Sequence, residues 1–144
     1  MNCVFCDIIK GTISAKIVAE NKGAIAFLDV NPMSDGHTLI IPKKHFRDWS
    51  SADDETIRDV SLLAKEVAGI LMDSKLKPWG INYLSNEGSL AGQAVFHYHL
   101  HVIPKYGKNE GFKFSIGTHV VEPLEQTYKE ISKTKLKRDK KNKN

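Results

Sequence analysis

Three histidines at two-residue spacing, His97, His99 and His101, stand in the run Ala91-Gly-Gln-Ala-Val-Phe-His-Tyr-His-Leu-His-Val-Ile-Pro104. In an extended strand, side chains alternate between faces, so the three imidazoles line one surface and Tyr98, Leu100 and Val102 the other. Neighbours two apart stand roughly 7 Å from each other, close enough for one bound group to touch two rings. Three chemistries use imidazoles clustered in this way. Two or three neutral rings suit zinc. A ring nitrogen can attack phosphorus and form a covalent intermediate that water later resolves. Histidine also titrates near neutral pH and serves general acid–base work. The segment upstream helps to choose. Gly88-Ser-Leu-Ala-Gly-Gln93 is flexible and amide-rich, suited to wrapping an anion with backbone N–H groups and the Gln93 carboxamide. Few acids lie near, which disfavours an oxygen-activating metal centre. Imidazolium and amide donors meet phosphate charge better, and the pattern favours a phosphate-directed site.

The elements that must position these rings are legible in order. Val4, Phe5, Ile8 and Ile9 form an i, i+4 pattern that predicts a short helix from Cys3 to Lys10, ended by Gly11. Ile17–Glu20 and Ala24–Leu28 read as strands joined by a hairpin turn at Asn21-Lys22-Gly23. Asp29 to Gly36 is loop by composition, and His37 to Pro42 is a short buried strand that Pro42 ends. Ser51, with Asp54 three residues on, resembles a helix start. From there Ile57, Val60, Leu63, Ala64, Val67, Ile70 and Leu71 recur at helical spacing to about Asp73, a stripe that is core rather than site. Trp79 to Ser85 reads as a strand, Asn86 to Gly92 as a polar loop, and the histidine strand follows. Gly107 to Gly117 is loop-like, and a terminal helix is expected over Glu122 to Ile131. The fold class is α+β, an antiparallel sheet of about five strands with one long helix and one short N-terminal helix.

At 144 residues the chain is most simply one domain with ordinary globular composition, 41% apolar and 26% charged. No apolar run has the length or flanks of a signal peptide or membrane span. The net charge of +4 conceals an asymmetry. Residues 133–144 carry seven basic residues against the single acid Asp139, so the tail is +6 and residues 1–132 sum to −2. With Leu136 its one apolar residue, the tail is expected to be a solvated, disordered end, and 1–132 the folded domain. A weak anchor for RNA or acidic surfaces is its alternative role. Both cysteines fall in Cys3-Val-Phe-Cys6, which argues against a disulfide framework and for a reducing compartment: the cytoplasm, or cytoplasm and nucleus. The pair alone is ambiguous between a zinc half-site, a redox couple and two buried small side chains. His119 has no partner motif and reads as a surface residue.

His97-Tyr-His-Leu-His-Val-Ile resembles the His-φ-His-φ-His-φ-φ motif (φ, apolar) of the histidine triad, or HIT, superfamily of nucleotide hydrolases and transferases. Phe5-Cys-Asp-Ile-Ile, Ala26-Phe-Leu-Asp-Val, Gly36-His-Thr-Leu-Ile-Ile-Pro-Lys-Lys-His45 and Asn86-Glu-Gly look like further segments of that family, in the same order. The resemblance covers roughly Cys3 to Gly107 and is strongest to the small phosphoramidate and dinucleoside-polyphosphate hydrolases. It implies a HIT-like fold and cleavage at the α-phosphate of purine nucleotide conjugates. His99 would attack to form a nucleotidyl-histidine that water cleaves, releasing the nucleoside monophosphate. His101 would contact the phosphate, His37 would support the triad, and Gln93 and Asn86 would hold the phosphate region. Asp29 would accept from the ribose hydroxyls, while Phe5, Ile8, Phe27 and Val30 would form the slot for the base. Some members with this cysteine pair carry a structural zinc, which here would take Cys3, Cys6, His45 and His97. The resemblance further implies a homodimer with joined sheets, and it requires no organic cofactor. Two other functions remain open: a nucleotide-binding regulatory protein with weak catalysis, and processing of adenylylated nucleic acid ends with the tail as anchor.

One position departs from the family pattern. After the Gly-Gln pair the family usually has Ser or Thr, whose hydroxyl meets the phosphate or leaving group; here it is Ala94. The missing hydroxyl removes a hydrogen bond worth on the order of 1 kcal/mol, more if charge-assisted. Binding should survive this better than turnover does. Ala94→Ser is therefore expected to raise kcat on a nucleoside phosphoramidate, and an unchanged or lower kcat refutes the inference.

Overall fold

The computed structural model describes residues 2–144, which divide into two compact units, one running to Lys113 and the other from Phe114 to Asn144. In the first unit five strands form one antiparallel sheet: β1 (Ile17–Glu20), β2 (Ala24–Leu28), β3 (Thr38–Pro42), β4 (Gly80–Leu84) and β5 (Leu100–Lys105). Their spatial order is β1-β2-β3-β5-β4. The last strand thus inserts between its two predecessors and becomes central. Helices α1 (Val4–Lys10) and α2 (Asp54–Asp73) complete the unit.

Alternation along the central strands assigns each side chain to one of two cores. Ala24 and Ala26 of β2, Ile40 of β3, and Leu100 and Val102 of β5 pack with Val60, Leu63, Ala64, Val67 and Leu71 of α2. Ile25 and Phe27 of β2, and Leu39 and Ile41 of β3, pack with Cys3 and Phe5 at the start of α1. Because both faces are covered, β2 and β3 read as unbroken apolar runs rather than alternating ones. β5 differs: its α2 face is Leu100 and Val102, while its other face carries His101 opposite Leu39 of β3. The imidazoles therefore replace apolar residues on the α1 side.

Local sequence explains the ends of these elements. Cys3 Sγ accepts from the Cys6 N–H at 3.4 Å, and Gly11 closes α1 at φ +81°, a left-handed position that suits glycine. In the β1–β2 turn, Asn21 Oδ1 accepts from the N–H groups of Gly23 and Ala24 at 3.1 and 2.8 Å. Its Nδ2 donates to the Asp59 carbonyl at 2.8 Å, fastening the hairpin to α2.

Three expectations are corrected. The residue capping α2 is Asp53, whose carboxylate accepts from the Thr56 N–H at 2.9 Å. Ser51 instead serves the preceding turn, bonded to Asp48. The histidine strand pairs only from Leu100, since its ladder to β3 ends where Ile40 meets Leu100. His97, Tyr98 and His99 precede the ladder and are held by the Pro42 and Phe46 carbonyls and the Ser85 hydroxyl. Finally, the terminal helix α3 runs Leu124–Asn142, so it takes in most of the tail expected to be disordered. Lys, Arg and Leu are good helix formers, and the i, i+4 pairs Glu125–Lys129 and Lys135–Asp139 support it. No helix among the described residues is long and apolar enough to cross a membrane.

Candidate functional site

The three triad histidines do three different things. His97 is fully buried. Its Nε2–H donates to the Pro42 carbonyl at 2.9 Å, so Nδ1 carries the lone pair. That lone pair faces Cys3 Sγ and Cys6 Sγ, both at 3.5 Å, and His45 Nδ1 at 3.0 Å. Cys6 Sγ and His45 Nδ1 are 3.3 Å apart. Four ligand atoms, two sulfurs and two nitrogens, all lie within 4.8 Å of one another. Ligands of a tetrahedral ion with bonds of about 2.0–2.3 Å stand about 3.3–3.8 Å apart, so the group fits one metal ion. Burial pushes His97 down to about 4, keeping it neutral and able to bind a metal. Burial, with Cys3 beside it, pushes the Cys6 thiol up, so metal uptake must release a proton there. The four residues expected from the sequence are the four brought together.

His99 is turned away from the cluster. Its Nδ1–H donates to the carbonyl of His97 at 2.8 Å, leaving the Nε2 lone pair for chemistry. Burial lowers its pKa, so the free base prevails at neutral pH. The Phe5 ring meets His99 edge-on at 5.1 Å between centroids, and His101 stands 5.0 Å away.

His101 ends a chain of hydrogen bonds. The Met33 N–H donates to His37 Nδ1 at 3.1 Å, which makes His37 Nε2 the protonated nitrogen. That Nε2 lies 2.9 Å from His101 Nδ1 and 3.6 Å from Asp29 Oδ2. His101 therefore accepts at Nδ1 and presents an N–H at Nε2. Burial, and the neighbouring His99 and His37, lower it to about 4. His37 is lowered too, by burial, with Asp29 opposing the shift. Asp29 Oδ1 accepts from the Asn31 N–H at 2.8 Å, and its carboxylate keeps lone pairs for a further donor.

The remaining expected residues divide. Gln93 is buried with its carboxamide fully engaged: Oε1 accepts from the Gly88 N–H, and Nε2 donates to the Arg47 and Val95 carbonyls. It pins the loop rather than presenting an amide. Asn86 Nδ2 reaches the Gly92 carbonyl across the same loop at 3.3 Å. Ala94 is exposed beside it. Of the base-slot residues, Phe5 and Phe27 are core, meeting edge to face at 5.7 Å, and Ile8 is half-buried against them. Val30 is 87% exposed and belongs to neither core cluster. Sequence reasoning missed the groups that aim the rings: the Pro42 carbonyl, the Met33 N–H, and Ser85, whose hydroxyl donates to the His99 carbonyl at 2.7 Å. Backbone groups carry no residue-type signal, and Ser85 stands in no recognisable motif.

Residues 10–108 match the HIT domain, and the chain belongs to that family. It is 37% identical over 125 residues to an adenosine 5'-monophosphoramidase of Schizosaccharomyces pombe, covering 87% of this chain and 90% of that protein. A crystal structure of a HIT family protein from Bacillus anthracis matches with a TM-score of 0.85 and 37% identity, over 95% of this chain and 96% of the other. A zinc-bound histidine triad family protein from Mycobacterium smegmatis matches with a TM-score of 0.72 and 37% identity, over 76% and 78% of the two chains. The α+β fold with a five-stranded antiparallel sheet is that of the family.

The lowered pKa of His101 makes the native state acid-sensitive. Between the unperturbed value near 6.5 and about 4, the unfolded chain binds a proton at this ring that the native site refuses. Stability is therefore whole above about pH 6.5 and falls as the pH drops through that window, approaching about 1.4 kcal/mol per unit for one such group. Urea midpoints at pH 7 and pH 5 should differ less in His101→Asn than in the parent, and equal differences refute the assignment.

Proposed function

We propose that the chain is a nucleotide hydrolase or transferase acting at the α-phosphate of purine nucleotide conjugates, phosphoramidates or dinucleoside polyphosphates. The observation that carries the reading is the 2.8 Å bond from His99 Nδ1–H to the His97 carbonyl, which leaves a neutral ring with its Nε2 lone pair free. In this reading Nε2 of His99 attacks the α-phosphorus, forming a P–N bond as the leaving group departs with the P–X electron pair. Water then breaks that P–N bond, releasing the nucleoside monophosphate and restoring the ring. His101 donates its Nε2–H to the phosphate or leaving group, and His37 orients it from behind. Asp29 accepts from the ribose hydroxyls. Gln93 and Asn86 shape the loop beside the phosphate by bonding across it, to the Gly88 N–H and the Gly92 carbonyl. Ile8 and Val30 offer apolar surface to the base, with Phe5 and Phe27 beneath. The phosphoramidase relative supports this class of reaction.

The cluster of Cys3, Cys6, His45 and His97 is, in the same reading, a closed structural zinc site. Zinc there would hold the ends of β3 and β5 to the start of α1, supplying stability rather than a reactive water. Two copies are taken to join along the free edge of β4, where Tyr83 is exposed beside an apolar cavity of about 430 Å³ lined also by Trp49, Leu84 and Leu100. The reduced cysteine pair accords with a cytoplasmic location.

Incubation with adenosine 5'-phosphoramidate tests the mechanism. Intact-mass analysis after rapid acid-free quenching should find an adenylyl adduct on His99, and His99→Asn should lose the adduct and at least 10³-fold in kcat, on the order of a lost nucleophile. A turning-over His99→Asn variant sinks the assignment. Metal analysis of protein purified without chelator should find about one zinc per chain. Protein with no more than a trace rules the zinc site out.

A further inference from the structure

The second unit carries a strongly basic surface of its own. Helix α3 has no buried residue. Four of its lysines, Lys133, Lys137, Lys140 and Lys141, follow the spacing i, i+4, i+7, i+8, which places them on one face. All four are exposed. Among the described residues no carboxylate lies within ion-pair distance of any of them. Asp139, the one acid of this half of the helix, sits off that face and pairs with Lys135 at 2.6 Å. The nearest acid on the lysine face is Glu130, about a turn before Lys133. A helix rises about 1.5 Å per residue, so the stripe is about 12 Å long. Four unneutralised charges held on that length repel one another, and the arrangement becomes favourable when a regular line of anions lies along it.

We propose that this lysine face of α3 docks the phosphodiester backbone of a nucleic acid, without reading its sequence. Duplex DNA presents one negative charge per about 1.7 Å of axis, so a 12 Å stripe meets several phosphates at once. Lysine is a point charge on a flexible stem, matched to phosphate position rather than to base edges. A lipid surface suits the face less well. A membrane-lying helix buries an apolar stripe, and beyond Ile131 this one has only Leu136. The helical state matters to the inference. A disordered tail would spread the same charges over many directions, whereas α3 gathers four of them into one.

The test is fluorescence anisotropy of the full chain with two labelled probes, a single-stranded RNA and a DNA duplex, each about 20 units long, at about 50 and 200 mM salt. Four phosphate contacts predict an affinity loss between those salts of about 150-fold for the duplex and about 50-fold for the single strand. The duplex and single-strand arms show which nucleic acid is preferred. The variant Lys133→Gln/Lys137→Gln/Lys140→Gln/Lys141→Gln should bind at least tenfold more weakly at the lower salt, and the corresponding four Lys→Arg changes should restore binding. Far-UV circular dichroism checks that α3 persists in both. The proposal is overturned if the parent binds neither probe at about 50 mM salt. It is equally overturned if the Lys→Gln variant binds like the parent, or if only phosphatidylserine-containing vesicles bind. Turnover of adenosine 5'-phosphoramidate by the Lys→Gln variant should be unchanged, so a failure here leaves the triad mechanism standing on its own evidence.

Discussion

His97 is the residue on which the rest of the site depends, because it faces three ways at once. One ring nitrogen donates to Pro42, the other points at two sulfurs and a second imidazole, and its own carbonyl accepts from His99. Each connection constrains the others. The Pro42 bond selects the tautomer that leaves Nδ1 open to a metal, which is how outer partners usually orient a ligating histidine. The carbonyl bond selects the tautomer of His99. One buried residue, by its ring and its carbonyl, thus ties the end of β3, the start of α1 and the His99 ring into a single arrangement. Full burial keeps it neutral, and neutrality is what leaves the Nδ1 lone pair open toward the two sulfurs and His45.

The two cores explain how polar rings are tolerated so deep. The sheet is covered on both faces over β2 and β3, yet at β5 one face changes from aliphatic to imidazole. Both ring nitrogens of His37 and His97, and Nδ1 of His99 and His101, are each hydrogen-bonded or aimed at the cysteine–histidine cluster. Phe5 closes the remaining gap, meeting His97 and His99 edge-on. An aromatic edge near the rings excludes water without competing for their hydrogen bonds.

Much of this was legible in the residues, and the exceptions have physical reasons. β1 and α1 end, and β2 begins, where Asn21, Gly11 and Gly23 say they should, because turn chemistry is local. The clustering of Cys3, Cys6, His45 and His97 was legible only through family resemblance, since Cys3 and His97 are 94 positions apart and no periodicity links them. Both Asp53 and Ser51 are good N-cap types, but Ser51 is engaged with Asp48 in the preceding turn and Asp53 caps α2. Gln93 was misread because a carboxamide beside a glycine-rich loop can serve either an anion or the loop itself, and only geometry distinguishes them. Composition also misjudged residues 133–144: high charge argues against burial, but it does not argue against a solvated helix.

The pairing of Leu39 with His101 sets a limit on how this chain can change length. A single residue gained or lost within β3 or β5 would turn every side chain beyond it to the opposite face, moving imidazoles toward α2 and aliphatic chains toward α1. A change of two would restore the faces but separate His37 from His101, which now meet at 2.9 Å. The connections between strands can change length without this cost. The histidine constellation is held by counting as much as by contact, and strand register positions it as firmly as any hydrogen bond among its rings.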